Sequence, residues 1–305
     1  MEIYQLEVFV CAARNLNFSK TAEKIHISQP SVSAHISSLE KTLGSQLFIR
    51  NTKGVSLTKA GIDFLVYAQK ILSLRDEAVY SMKGDDQNID GTIDIISSTI
   101  PAQHLLPEII TSFQRLWPNI VFRVEQAGSR RVEEEMSGFR YDFGMIGTVP
   151  DAARFNSYPV YNDELVLILP KDTPKKIRLI RKNFSEFILQ TPFIMREAGS
   201  GTRTEIENLF SKIGVDPRGL RIPAYFSDTH SILLAVANGM GVSLISKVAA
   251  SMYVEAGLLT AVEMKDPLFR RQIYLLYNKE RWLSPVQQAF ADHVRNFYRR
   301  KSLSM

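Results

Sequence analysis

The sequence predicts an α/β chain in three parts: a small helical head ending in a hairpin, one long helix, and a body of alternating strands and helices. Three observations carry that expectation. Residues 3–43 repeat apolar side chains at helical spacing, with breaks after residues 13 and 25. Residues 62–83 keep that spacing without a Pro or a Gly. From residue 91 onward, short apolar runs alternate with helical stretches twice over, the order of a mostly parallel sheet covered by helices.

Composition narrows the classes. The chain has 305 residues, 45% apolar and 23% charged, an ordinary globular composition of about two domains. A single cysteine, Cys11, excludes a disulfide framework and a Cys-rich zinc site, and fits a reducing cytoplasm. The most apolar run, Leu165 to Leu169, stops at Pro170, far short of the ~18 residues of a membrane span. The start carries Glu2 and Glu7 and no basic stretch, so no signal peptide is expected. The formal charge of +5 divides into +3 over residues 1–61, −2 over 62–87 and +4 over 88–305. A basic head permits an anionic partner without demanding one.

In the head, Ile3, Leu6, Val8, Phe9 and Val10 open the first helix, and Asn15-Leu-Asn breaks it. Ser19 is expected to cap a second helix through Ile25. His26-Ile-Ser28 is the turn. Ser28 caps a third helix, with Pro30 in its first turn and Gly44 as its stop. Val32, Ile36, Leu39 and Leu43 form the buried side of that helix; Ser31, Ser33, His35 and Ser38 line the other. Residues 47–50 and 55–57 are short strands around Asn51-Thr-Lys-Gly54, a basic-tipped hairpin. Three helices with a tight second turn, then a hairpin, make a winged helix-turn-helix whose third helix suits a DNA major groove. Gln29, Ser31, Ser33 and His35 are base-contact candidates, each equally able to reach a phosphate. Ser28 and Pro30 shape the helix start, and Arg50 and Lys53 fall where the phosphate backbone runs.

The ordered run Phe18-Ser-x-x-Ala22-x-x-Ile25-x-Ile27-Ser28-Gln29-Pro30-Ser31-Val32-Ser33-x-x-Ile36-x-x-Leu39-Glu40, then Leu43-Gly44-x-x-Leu47-Phe48-x-Arg50 and Leu57-Thr58-x-x-Gly61, closely resembles the DNA-binding domain of LysR-type transcriptional regulators. The resemblance implies a homodimer or homotetramer on double-stranded promoter DNA. It also implies a two-lobed effector domain like the periplasmic binding proteins. The parts expected are a DNA-binding domain at 1–61, a linker helix at 62–88 and an effector domain at 89–305. Its first lobe takes 91–160 plus 268–301, and its second 163–265.

Thr58 is expected to cap the long helix through residue 83. Ile62, Leu65, Val66, Leu72 and Val79 make its apolar stripe, three of them seven apart. That stripe packs either on a partner helix, as the resemblance implies, or on its own chain.

In the body, strands are expected at 92–96, 120–125, 141–146, 164–169, 193–195, 222–226, 242–245 and 271–277, with helices between them and a last one at 285–300. Ligands bind such sheets beyond the carboxyl ends of strands. That places Ser97, Ser98 and Thr99, Ser129, and Thr148 at the site from the first lobe. In the second lobe Arg196, Gly199, Ser200, Gly201, Thr202 and Arg203 follow a strand and open a helix, whose N-terminus favours an anion. The Gly-Ser-Gly-Thr-Arg run is similar to that of relatives that sense small anions, including regulators of sulfur assimilation. The effector expected is a small oxoanion or carboxylate.

Catalytic signals fail. Gly239-Met-Gly241 lacks the third Gly of a dinucleotide fingerprint, and Gly199-Ser-Gly-Thr lacks the spacing of a nucleophile elbow. The expectation is a cytoplasmic transcription factor, not an enzyme, with no cofactor, no metal and no membrane partner.

Overall fold

The computed structural model describes residues 1–51, 54–83, 90–171, 173 and 177–303. The head holds α1 (Ile3–Asn15), α2 (Phe18–Lys24), α3 (Gln29–Leu43) and a hairpin of β1 (Phe48–Asn51) and β2 (Gly54–Leu57). Leu6 and Phe9 from α1, Phe18 and Ala22 from α2, and Val32, Ile36 and Leu39 from α3 close on Leu47 and Phe48 as one core. Each large side chain so buried is worth roughly 1.5–3 kcal/mol. Ser28 caps α3 by accepting from the Ser31 N–H, and Gly44 ends it at φ +65°. The second cap differs from expectation. Leu16 turns left-handed and ends α1, so α2 begins at Phe18 and its cap is Asn17, which accepts from Lys20 N–H at 3.0 Å. Ser19 therefore sits inside the first turn.

Two contacts fix the hairpin. The Glu40 carboxylate accepts from the N–H groups of Leu47 and Phe48, at 2.7 and 3.2 Å. Thr58 Oγ1 accepts from Gly61 N–H at 2.9 Å, starting α4 (Lys59–Lys83). A Cβ at Gly61 would lie 2.1 Å from the Leu47 carbonyl oxygen. Only glycine allows α4 to start this close to the wing.

The α4 stripe divides. Leu65 is buried in the head core, and Val66 and Leu72 pack against it, so this part of the stripe packs on its own chain. Ile62 and Val79 are exposed, as are Tyr67, Leu74 and Met82.

The body continues as β3 (Gly91–Ser97), a π-turn (Pro101–Leu105), α5 (Leu106–Gln114), β4 (Ile120–Gln126), α6 (Ser129–Ser137) and β5 (Phe143–Ile146). Then β6 (Phe155–Pro170) passes into the second lobe. There follow α7 (Ile177–Lys182), α8 (Phe184–Gln190), β7 (Met195–Arg196), α9 (Gly201–Lys212), β8 (Tyr225–Phe226), α10 (Thr229–Ala237), β9 (Ser243–Ser246), α11 (Lys247–Glu255) and β10 (Leu259–Glu263). The chain returns on β11 (Arg270–Asn278) and ends in α12 (Pro285–Leu303).

The sheet is mixed rather than mostly parallel. β3 is parallel to β4 and β5, but β11 is antiparallel to β5 and β6, and β6 is antiparallel to β9 and β10. The reason is topological: a chain that leaves one lobe on β6 and comes back on β11 must run in opposite directions. Residues 155–164 of β6 pair with β11, and 166–170 with β10. In the second half both faces are covered. Leu165, Leu167 and Leu169 enter one core while Val166 and Ile168 enter the other. Burial on both faces explains the unbroken apolar run in the sequence.

Candidate functional site

Two surfaces gather the candidate residues. On the head, Ser28, Gln29 and Pro30 are exposed at the start of α3, and Ser31, Ser33 and His35 follow, half-buried. The Ser28 and Ser31 hydroxyls share a hydrogen bond of 2.8 Å. Arg50, at the wing, donates from Nη1 to Ser33 Oγ at 2.8 Å, and its guanidinium lies over the Phe18 ring at 4.7 Å. The wing arginine is thus held against the third helix before any partner arrives. The His35 ring meets the Tyr4 ring edge-on at 5.1 Å. Lys53 lies outside the described residues.

The second surface is the cleft between the lobes. Ser98 and Thr99 follow β3, Ser129 opens α6, and Arg196, Ser200, Gly201 and Thr202 approach from the other lobe. The start of α6 and the start of α9 therefore face each other. Neither carries a side-chain cap, so the N–H groups of both first turns point toward one small space. Ser129 Oγ is buried there without a hydrogen-bond partner. A Cβ added at Gly201 would lie 2.3 Å from that oxygen, and one at Gly128 would lie 2.9 Å from the Gly199 carbonyl oxygen. The remaining cavity is about 10 Å³, the room one water needs.

The charges in the cleft are held by their own partners. Arg196 is buried, and its guanidinium donates to both carboxylate oxygens of Glu197 at 2.9 and 3.1 Å, to Thr229 Oγ1 and to the Ser227 carbonyl. Arg271, which the sequence did not single out, donates from Nε to Asp163 at 2.8 Å and from Nη1 to Thr202 Oγ1 at 3.3 Å. Asp163 also accepts from Ser246 Oγ. With both arginines neutralised, the positive character left over belongs to the two helix starts. Burial lowers the pKa of His104, in the π-turn, against the pull of Asp163.

Four expected residues stand apart. Ser97 is fully buried and donates to the backbone oxygens of Ser98 and Met145. Thr148 is at the rim, near the Gly201 position. Gly199 forms the turn before α9 at φ +86°. Arg203 points outward, donating to Glu207 at 2.7 Å and covering the Tyr225 ring. Among the described residues no group of His, Cys, Asp and Glu has the makings of a metal site, and no helix is long and apolar enough to cross a membrane.

The family models that match this chain are the bacterial regulatory helix-turn-helix protein of the lysR family, over residues 3–62, and the LysR substrate binding domain, over residues 86–299. An uncharacterized HTH-type transcriptional regulator from Methanocaldococcus jannaschii is 32% identical over 278 residues, covering 91% of this chain and 93% of that protein. A RuBisCO operon transcriptional regulator from Allochromatium vinosum is 30% identical over 302 residues, covering 96% and 95%. The structure of full-length OxyR from Pseudomonas aeruginosa superposes with a TM-score of 0.73 at 21% identity, covering 97% of this chain and 95% of that one.

Proposed function

The chain belongs to the LysR family of transcriptional regulators, with an effector-binding domain behind its DNA-binding head, and from that premise we propose that its effector is a small oxoanion or carboxylate. One observation carries the proposal: two uncapped helix starts converge on the unpartnered hydroxyl of Ser129. Helix N-termini supply donors and positive potential without a free cation. Ser98, Thr99, Ser129 and Thr202 would add hydroxyls, and the Arg271–Thr202 contact would orient the last of these.

The small cavity links binding to shape. An anion larger than water binds the parted arrangement better, so it shifts the lobes toward that arrangement. A thermal-shift screen with sulfate, sulfite, selenite, phosphate and small carboxylates tests this. At an anion concentration of 100 times its Kd, stabilisation of about 2.7 kcal/mol would raise Tm by roughly 5–10 °C. Thr202→Ala should remove that shift and leave DNA affinity unchanged. A full shift in the variant would refute the site.

On DNA, α3 enters the major groove, with Gln29, Ser31, Ser33 and His35 near base edges and Arg50 and Lys53 near phosphates. Ser28 and Pro30 set the start of the helix. A glutamine that reads adenine contributes about 1–3 kcal/mol of discrimination at one base pair. Gln29→Ala should therefore flatten the preference at a single position, measured by competition mobility shift with every base substituted in turn. An unchanged preference would remove Gln29 from the reading set. Tyr67 and Leu74, seven residues apart on the exposed side of α4, support assembly as a homodimer or homotetramer through that helix.

A further inference from the structure

We infer that the edge of the first lobe opposite the cleft is a docking face for the chain's own head, and that β3, β5 and α6 couple this docking to the cleft. The coupling rests on the proposed effector site; the docking does not.

One part-buried charge network and one buried apolar contact make the docking face. Arg14, in the last turn of α1, reaches across to the lobe and donates to Asp142 at 3.0 Å and to Asp94 at 3.4 Å. Asp142 is fully buried. It also accepts from the Asp94 N–H at 2.8 Å and from the guanidinium of Arg281. Beside this network Phe139, in the turn after α6, leaves its own lobe and is buried in the head core. Its φ is +57°, a conformation that a bulky residue keeps only where the surroundings hold it. Charge and apolar surface thus meet the head at adjoining points in the segment between α6 and β5.

β3, β5 and α6 each run from at or near a docking residue to a cleft residue. β3 bears Asp94 in its middle and delivers Ser98 and Thr99 past its last residue. Asp142 immediately precedes β5, and Gly147 immediately follows it. At about 3.3 Å per residue those two positions are roughly 16 Å apart. α6 opens with Ser129 in the cleft and closes two residues before Phe139 in the head. A rigid strand or helix that shifts at one end moves at the other, and coupling of this kind is reciprocal.

Reciprocity gives a test that needs no effector. The full-length protein is compared with Arg14→Gln and Phe139→Gly by hydrogen exchange and mass spectrometry. Arg14→Gln leaves Asp142 its partner Arg281, and Phe139→Gly relieves the left-handed backbone, so neither variant should unfold the lobe. Both should speed exchange on the order of tenfold or more in residues 10–16 and 139–142, the loss expected when a charge-assisted contact is cut or a large buried side chain is removed. Both should also change exchange several-fold in residues 98–102 and 129–132. Residues 206–210, in the core of the second lobe, should stay as they were. Arg14→Lys should restore part of the protection. Unchanged exchange at 10–16 and 139–142 would overturn the docking face. Exchange that changes there but not at 98–102 and 129–132 would overturn the coupling. A screen in which no anion raises Tm, beside exchange that does propagate, would instead sink the effector reading alone.

Discussion

Gly61→Ala should abolish site-specific DNA binding while the effector domain stays folded. The added Cβ would lie 2.1 Å from the Leu47 carbonyl oxygen, and that oxygen cannot withdraw. Leu47 is held from one side by Glu40 and from the other by the Thr58 N–H at 3.0 Å. Overpacking against backbone costs about 1–3 kcal/mol, and more where nothing yields. In a domain of this size a loss of about 3 kcal/mol lowers Tm by roughly 12–24 °C. Scanning calorimetry should show the head transition move down and the body transition hold. Gly91→Ala, where the nearest side-chain atom is an ordinary 3.4 Å away, is the control. Equal melting of Gly61→Ala and the control would mean that the wing and α4 do not approach as closely as described.

Asp142→Asn should be as damaging to the body. Its carboxylate faces Arg281, which is 3% exposed, and Arg14. Taking away one partner of a buried ion pair costs about 3–5 kcal/mol, because the surviving charge is stranded. The pH dependence follows from the same geometry. Burial pushes the Asp142 carboxyl up, but Arg281 and Arg14 outweigh burial and hold it below its ordinary value. A carboxyl depressed in the folded state stabilises fully above the ordinary aspartate pKa of about 3.9, and that stabilisation is lost as pH falls toward the lower folded value. Urea midpoints of the wild type should therefore fall steeply below about pH 4. The variant should start low at pH 7 and fall less. Parallel curves would assign the acid sensitivity to another group.

Local features were legible in the sequence because their causes are local. Ser28, Gly44 and Thr58 punctuate the head as their side chains and backbone preferences demand, and the Val32, Ile36 and Leu39 stripe is buried as its spacing predicts. The cap of α2 was misplaced by two residues because Ser19 and Asn17 are both good caps, and only the left-handed turn at Leu16 decides between them. Strand direction is not written in the alternation of strand and helix, which says nothing of the return from the second lobe. The first half of β6 gave no strand signal: Pro159 and Asn162 interrupt its pattern, and its pairing with β11 is made 100 residues later or more. Arg271 was invisible for a similar reason. Its partner Asp163 is 108 residues away in sequence, and an arginine pair at the head of an apolar strand does not say which of the two turns inward. Asp142 and Arg281 are separated by 139. In the cleft, sequence position does not give a side chain its aim: Ser97 and Arg203 turn away because backbone carbonyls and Glu207 offer nearer partners.

The passage of β6 through both lobes has a mechanical consequence. Both crossings between the lobes include paired strand, one outgoing on β6 and one returning toward β11. A rotation of one lobe must therefore wind β6 along its own axis. Neighbouring strands tolerate relative twists over a range of about 10–35°, so the crossing behaves as a torsion spring, compliant to rotation and stiff to stretching. The Asp163–Arg271–Ser246 knot lies beside the crossing and, through Arg271, also holds Thr202 at the start of α9. A molecule lodged between the lobes would be felt as torque, and the elastic recoil of the strand would return the lobes when it left.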